Sequence, residues 1–193
     1  MQNDKHFWWT TLVRGFVALI AGSAIMVIPE MARTLLLLPI AIAISILGLA
    51  VYGVLDSVLV FVTSYMATSR PAKFVLRLQG VIGVTVGILL YRVFFFHVQL
   101  HWFLILIVIQ SLSTAIAEFL IARHSRTRAT SRWNFTAAAV AFGFSCVYFY
   151  IVLALADRMV PQEISWLVYG YLVAFGIAQC LTAARMLYAD QHA

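Results

Sequence analysis

The sequence predicts an all-α, polytopic membrane protein whose six transmembrane helices form three parallel helical-hairpin repeats. The chain of 193 residues is 64% hydrophobic and only 10% charged, with a mean hydropathy of +0.98, whereas an average soluble domain has about 25% charged residues. Its apolar runs are continuous and reach the ~20 residues that a helix needs to cross the hydrocarbon core of a bilayer. A motif of one small and one polar residue also recurs three times along the chain.

The apolar runs predict helices at about 8–28, 35–62, 74–95, 100–122, 133–156 and 164–187. We expect a single transmembrane domain over 1–193, with hairpins at about 8–66, 74–123 and 133–188. Pro29, Pro71 and Pro161 fall between the runs, and we predict a turn at Pro29 and Glu30 because proline interrupts the hydrogen bonding of a helix. Pro39 lies in the first turns of the second run, where a missing N–H is tolerated.

The basic residues predict the orientation of the chain. With six spans, ten of the thirteen Lys and Arg residues fall on the side of both termini and of the loops after the second and fourth helices. Cytoplasmic loops collect positive charge, so both termini are expected in the cytoplasm. The segment 123–132 is the strongest anchor, and it could also attract anionic lipid. We expect no nucleic-acid partner, because the charges lie at helix ends.

The second helix of each hairpin carries the repeated motif, in which a polar residue follows a small residue by three positions. The pairs are Gly53 with Asp56, Ala115 with Glu118, and Gly176 with Gln179, at intervals of 62 and 61 residues. Every hairpin begins on the same side of the membrane, so these are parallel repeats. Parallel triplication is compatible with packing around a central axis.

Small residues along these helices predict close contacts between neighbouring backbones. The first helices of the first two hairpins each carry glycines seven residues apart, and Gly83 with Gly87 form a GxxxG spacing. We predict helix packing at Gly15, Gly22, Gly53, Gly80, Gly83, Gly87 and Gly176. Packing within the chain is favoured, and a homo-oligomer interface is the alternative.

These residues together resemble a known family. Arg14-Gly15 with a second glycine seven residues on, Pro29 after the first helix, Gly53-x-x-Asp56, and Ala115-x-x-Glu118 before Arg123 resemble the HdeD-type acid-resistance membrane proteins of bacteria. The resemblance implies a six-helix protein of the bacterial inner membrane that is linked to survival in acid. It supplies no catalytic residues.

Asp56 and Glu118 are the most informative residues, because a carboxylate inside a membrane helix costs about 2.5–3.5 kcal/mol and is normally paired or functional. Arg14 and Arg77 lie on the first helices of the same hairpins. We therefore predict two intramembrane ion pairs, Arg14 with Asp56 and Arg77 with Glu118. Such pairs could fix the registry of the helices, or their carboxylates could respond to protons.

His97 and His101 lie four residues apart near the start of the fourth helix, on the side opposite the termini. Two histidines at this spacing can begin a metal site, but no third ligand of clear spacing follows. We therefore predict neither a metal nor a cofactor, and we favour interfacial histidines. If the protein senses acid, their charge changes in the right pH range.

The sequence contains no phosphate-binding loop, zinc-protease motif or nucleophile elbow, so we do not expect an enzyme. The leading prediction is a non-enzymatic inner-membrane protein that protects the cell envelope against acid or other stress. The alternative is a small transporter or channel with a polar path lined mainly by helix 4. The residues of that path are Thr85, Gln110, Ser111, Ser113, Thr114 and Glu118. An assembly factor or membrane anchor for another protein is a third possibility.

Overall fold

A computed structural model of the chain describes residues 7–34, 38–67, 70–96, 100–124, 128–154 and 161–191. Side chains are described over 8–27, 46–65, 67, 70–92, 101–123, 131–154 and 163–188. All secondary structure in these ranges is α-helical. The predicted all-α class is therefore confirmed.

The described residues form six helices, each long and apolar enough to cross a membrane. Their bounds are α1 Phe7–Thr34, α2 Leu38–Met66, α3 Arg70–Phe96, α4 Leu100–His124, α5 Arg128–Ala154 and α6 Pro161–Gln191. Because consecutive membrane-spanning helices alternate in direction, α1, α3 and α5 begin where α2, α4 and α6 end. We call this end of the bundle the terminal end.

The helices are longer than the sequence predicted, and one predicted turn is wrong. α1 continues through Pro29 and Glu30 to Thr34. A proline removes only one backbone hydrogen bond, and membrane helices tolerate that loss where neighbouring groups satisfy the freed carbonyl. Pro71 and Pro161 lie in the first turns of α3 and α6, where proline is favoured because the first N–H groups have no partner within the helix.

The six helices form a closed ring in which each helix contacts its two neighbours in the sequence and α6 contacts α1. The most extensive contacts join α2 with α3, α4 with α5, and α6 with α1, whereas the contacts within each hairpin are smaller. The second helix of each hairpin therefore packs mainly against the first helix of the next hairpin. Three parallel repeats arranged around one axis have this pattern of contacts.

Glycines bring α1 and α6 into backbone contact. A Cβ atom on Gly15 would lie 2.9 Å from the carbonyl oxygen of Gly176, and a Cβ on Gly176 would lie 2.9 Å from the carbonyl oxygen of Gly15. Gly22 faces the same helix about two turns further along α1. A Cβ atom on Gly22 would lie 3.2 Å from Leu172 Cβ. These approaches leave no room for side chains, which explains the small residues at these positions.

Three glycines of α3 have the same role against α2. A Cβ on Gly80 would lie 3.2 Å from the carbonyl oxygen of Ser57, one on Gly83 would collide with the Ser57 hydroxyl, and one on Gly87 would lie 2.6 Å from Val54. α4 and α5 carry buried alanines and, among their described side chains, no buried glycine. Buried alanines on these two helices are Ala115, Ala117 and Ala122 on α4 and Ala137, Ala138 and Ala141 on α5.

Gly53 is the exception among the predicted packing glycines. It is buried on α2, yet a Cβ there would meet no atom within 4 Å. The residue lines a cavity beside Asp56 instead of a helix crossing. Its small size therefore leaves space in the bundle interior.

Candidate functional site

Arg14 is a buried arginine on α1, seven residues after the first residue of that helix, or about 10 Å into the bundle. Its side chain turns into the interior next to Gly15, where α1 and α6 make their closest contact. The residue is 4% exposed. Its Cζ atom lies 5.8 Å from the centre of the Phe175 ring on α6, an arrangement in which the guanidinium faces aromatic electrons.

Asp56 on α2 binds this guanidinium through both carboxylate oxygens. Arg14 Nε donates to Asp56 Oδ1 at 2.8 Å, and Arg14 Nη2 donates to Asp56 Oδ2 at 3.5 Å. Asp56 is 2% exposed. The contact between Arg14 and Asp56 is the one that the sequence predicted for the first hairpin.

Glu118 on α4 has partners other than the one predicted. Its Oε1 atom accepts a hydrogen bond from Arg14 Nη1 at 3.0 Å and a second from Gln179 Nε2 at 2.7 Å. Glu118 is 2% exposed and Gln179 is 1% exposed. The four residues Arg14, Asp56, Glu118 and Gln179 are called the Arg14 cluster below, and they join α1, α2, α4 and α6.

Arg77 does not pair with Glu118, so this prediction is wrong. Arg77 is exposed on α3, and its Cζ atom lies 5.4 Å from the ring centre of Tyr65. Gln79 is the buried polar residue of this turn, at 3% exposure. Two residues correspond to about 200° of rotation around a helix, so Arg77 and Gln79 lie on nearly opposite faces.

The internal repeat contained a signal for the true arrangement. Gly15 and Gly80 are equivalent by their spacing, so the residue equivalent to Arg14 is Gln79, which immediately precedes Gly80. Of the polar residues of the repeated motif, Asp56 and Glu118 accept hydrogen bonds from Arg14, and Gln179 donates to Glu118 beside them. Equivalent positions of parallel repeats face a common axis, and a single arginine serves all three hairpins.

The charges of the Arg14 cluster are unequal. One guanidinium contacts two carboxylates, and all three groups are at most 4% exposed. Removing an ion from water costs several kcal/mol even in real protein interiors, and only close partners offset that cost. With both carboxylates ionised the cluster would carry a net charge of −1 inside the membrane-spanning region.

A cavity lies beside Asp56, on the side of the cluster away from the terminal end. Its volume is about 30 Å³, which is enough for a water molecule or two. Tyr52, Gln110, Thr114 and Tyr171 give it polar walls, and Gly53 leaves part of it open. We call it the Tyr52 cavity.

A second, smaller cavity lies beside Glu118, towards the terminal end. Its volume is about 10 Å³, close to the space of one water molecule. Arg14 and Glu118 form one wall, and Thr11, Thr63 and Asn134 supply polar groups. We call it the Asn134 cavity. The Arg14 cluster separates the two cavities.

Two buried amide oxygens near the Tyr52 cavity have no hydrogen-bond partner within the described residues. These are Gln79 Oε1 and Gln110 Oε1. Gln110 lines the cavity, and Gln79 Nε2 donates at 3.4 Å to Thr114, which also lines it. Buried polar atoms are nearly always satisfied, so each of these oxygens is a position for an ordered water molecule.

The polar run of α4 is only partly turned towards these cavities. Ser111 donates to the carbonyl of Ile107 at 2.9 Å, and Ser113 and Thr114 donate to that of Gln110 at 2.9 and 3.0 Å. These hydroxyl groups therefore donate their hydrogen bonds to backbone carbonyls of their own helix. Thr85, the α3 member of the predicted path, is exposed and bonds to its own helix at Val81.

His101 of the predicted histidine pair contributes nothing to this site. His101 is exposed at the start of α4, about 17 residues and roughly 25 Å along the helix from Glu118. His97 lies outside the described residues. Within the residues that the structure describes, no group of three or more His, Cys, Asp or Glu side chains could hold a metal ion.

Comparison of the chain with protein-family models, with curated proteins and with solved structures gave no match.

Proposed function

We propose that this multi-pass membrane protein is a non-enzymatic protein of the bacterial inner membrane that helps the cell envelope to withstand acid stress. The observation that carries the proposal is the pairing of two buried carboxylates with one arginine at the centre of the bundle. These hydrogen bonds tie four of the six helices together. Protonation of a carboxylate removes its charge, so acid acts directly on these ties.

The distribution of charge supports an orientation with both termini in the cytoplasm. Arg70, Lys73, Arg77, Arg123, Arg132 and Arg185 all lie near the terminal end of the bundle. Cytoplasmic ends of membrane helices carry an excess of Lys and Arg. In this orientation the Arg14 cluster lies closer to the cytoplasmic than to the outer surface, since Glu118 is about 9 Å from the end of α4.

Acid survival of a deletion strain tests this proposal. We expect cells without the protein to survive acid exposure less well, and we expect the wild-type chain to restore survival. A chain with Asp56→Asn and Glu118→Gln should not restore survival when present at the same level in the membrane. Glu163→Gln, at an exposed carboxylate of α6, is the matched control and should restore it. Equal survival with and without the protein would overturn the proposal.

Transport of a small solute or ion is the second candidate, and the two cavities on opposite sides of the Arg14 cluster favour it. Opening of the cluster would join them into one polar path along the bundle. Flux through liposomes containing the purified protein separates this role from protection without transport. Gly53→Leu should fill the Tyr52 cavity and reduce the flux, whereas Gly143→Leu, at an exposed glycine with no atom within 4 Å, should not. Liposomes without flux would rule out this candidate.

A further inference from the structure

The charges of the Arg14 cluster indicate what the cluster can bind. Arg14 contributes one positive charge, and Asp56 and Glu118 can contribute two negative charges. An unbalanced charge in a medium of low dielectric constant is far more costly than in water. The cluster is neutral only when it also holds one additional positive charge.

We propose that the Arg14 cluster is a binding site for one exchangeable proton, and that Glu118 holds it. The proton site rests on the proposed function, since it names the group through which the Arg14 cluster would respond to acid. A proton needs no additional space, whereas the Asn134 cavity beside Glu118 has room for only about one water molecule; the sodium measurement below distinguishes a proton from a bare cation.

The hydrogen bonds indicate which of the two carboxyl groups holds the proton. Asp56 accepts from Arg14 with both oxygens, the bidentate arrangement that favours an ionised carboxylate. Within the described contacts, the bonds from Arg14 and Gln179 both end on Oε1 of Glu118. A protonated Glu118 keeps both bonds on Oε1 and carries the proton on Oε2.

The charged and titratable groups around Glu118 agree with this assignment. Arg14 from α1 and Asp56 from α2 are the ionic neighbours, and α6 presents the neutral amide of Gln179. Tyr52 on α2 and Tyr171 on α6 line the Tyr52 cavity on the far side of Asp56. On the side of α3 and α5 the neighbouring polar groups are neutral, namely Gln79 and Asn134. Arg14 is therefore the cation that sets the balance.

Each carboxylate of the cluster borders a cavity. Glu118 borders the Asn134 cavity, which is lined by the hydroxyl groups of Thr11 and Thr63 and lies towards the terminal end. Asp56 borders the Tyr52 cavity, where the buried Gln110 oxygen is a position for a water molecule. A water molecule in the Asn134 cavity would therefore lie beside Glu118, where it can take up or return the proton.

Infrared spectroscopy of the purified protein in lipid nanodiscs tests the proton directly, because a protonated carboxyl group has a carbonyl band that a carboxylate lacks. At neutral pH we expect the wild-type protein to show the band of one buried carboxyl group. Glu118→Gln should remove it. Asp56→Asn should remove it as well, because Glu118 then becomes the ionised partner of Arg14. Arg14→Gln should double it, because both carboxyl groups then become neutral.

The pattern across these variants separates a proton site from a purely structural ion cluster. Glu163→Gln is the control and should leave the band unchanged, since this carboxylate is exposed. Should Arg14→Gln fail to fold, the two single carboxylate variants still decide whether the cluster holds a proton. Carbon-13 labelling of the glutamate carboxyl groups should shift the band, and a band that does not shift would show that Glu118 is not the group that holds the proton. The proposal is overturned if the wild-type protein lacks the band, if the band survives in Asp56→Asn, or if sodium ions remove the band at constant pH. Acid survival is measured separately, so a failed proton site and a failed cellular role can be told apart.

Discussion

The guanidinium of Arg14 is the group whose burial must be offset by the rest of the interior. It is 4% exposed and its described partners are the carboxylates of Asp56 and Glu118 and the ring of Phe175. Removal of the partner of a buried charge is strongly destabilising, because the remaining charge is then buried without compensation. The effect of a substitution in this cluster therefore depends on whether Arg14 keeps one carboxylate.

Combined neutralisation of both carboxylates should be much more damaging than either single change. In a chain with Asp56→Asn and Glu118→Gln, Arg14 remains buried without an anion, and we expect a loss of about 3–5 kcal/mol in the free energy of unfolding. Each single variant leaves one carboxylate and should lose clearly less. Unfolding in mild detergent measures the difference, with Glu163→Gln as the control. Additive, small effects of the two changes would contradict this expectation.

Arg77 and Arg14 should differ strongly in their contributions to stability. Arg77 is exposed and contacts the face of Tyr65, and such a contact at an exposed site contributes about 0.5–1 kcal/mol. Arg77→Gln should therefore cost no more than about 1 kcal/mol. Arg14→Gln should cost more, because two buried carboxyl groups lose the charged donor that binds both of them. Similar unfolding midpoints for these two variants would show that the Arg14 cluster adds little to stability.

At the residue scale the sequence predicted half of the cluster. The positions of Arg14 and Asp56 on the two helices of one hairpin are enough to predict their contact. Glu118 was assigned to Arg77 because we expected each hairpin to satisfy its own charges, whereas the polar residues of all three hairpins face one axis. No partner is predicted for Gln179 from the sequence, yet its amide donates to Glu118. Such contacts depend on the packing of hairpins against each other, which spacing within one hairpin does not report.

Small residues determine how closely the helices approach, and the most extensive contacts are those between hairpins. Gly15 and Gly176 bring the backbones of α1 and α6 together next to Arg14. Without a hydrophobic force between helices in lipid, van der Waals contact at such crossings drives association. The position of the guanidinium relative to α6 therefore depends on the absence of side chains at two positions.

Gly176→Ala should separate α1 from α6. The added Cβ would lie 2.8 Å from Leu19 Cγ and 2.9 Å from the carbonyl oxygen of Gly15, and a backbone oxygen cannot move without the helix. Overpacking of this kind costs about 1–3 kcal/mol, which unfolding in detergent would show. Gly143→Ala is the control, because a Cβ there meets no atom within 4 Å. A Gly176→Ala protein as stable as the wild type would contradict the close crossing.

At the element scale the sequence predicted the number and order of the helices but not their ends. Hydropathy reports which residues prefer lipid, so it identified all six spans. It does not report where the backbone stops being helical, and α1 extends through Pro29 to Thr34. Gly53 was predicted as a packing residue from its place in the repeat, but it borders a cavity. A glycine pattern alone does not distinguish a crossing from an open space.

The whole molecule is a ring whose closure depends on the contact between its first and last helices. α6 packs against α1 as extensively as α2 packs against α3 and α4 against α5. The third hairpin, formed by α5 and α6, therefore has two of the three extensive contacts in the ring, one with α4 and one with α1. It also supplies Gln179 and Phe175 to the Arg14 cluster. This arrangement predicts that the hairpins recognise each other without a covalent connection.

Separate expression of the first two hairpins and the third hairpin should therefore reconstitute the protein. We expect fragments 1–126 and 127–193, expressed together with a tag on one of them, to be purified as a stable complex. Glycines bring the backbones of α1 and α6 into contact, and α4 and α5 carry buried alanines; small residues of this kind favour association of membrane helices. Gly176→Leu in the second fragment should prevent recovery of the complex, because its side chain cannot fit beside the carbonyl of Gly15. Gly143→Leu, at an exposed position of the same fragment, should have no such effect. If the fragments failed to associate while each was inserted in the membrane, the third hairpin would not hold the ring closed through its own contacts.

Association that is insensitive to Gly176→Leu would show that the contact between α4 and α5 is sufficient to join the fragments. The contact between α1 and α6 would then be a consequence of ring closure and not its cause.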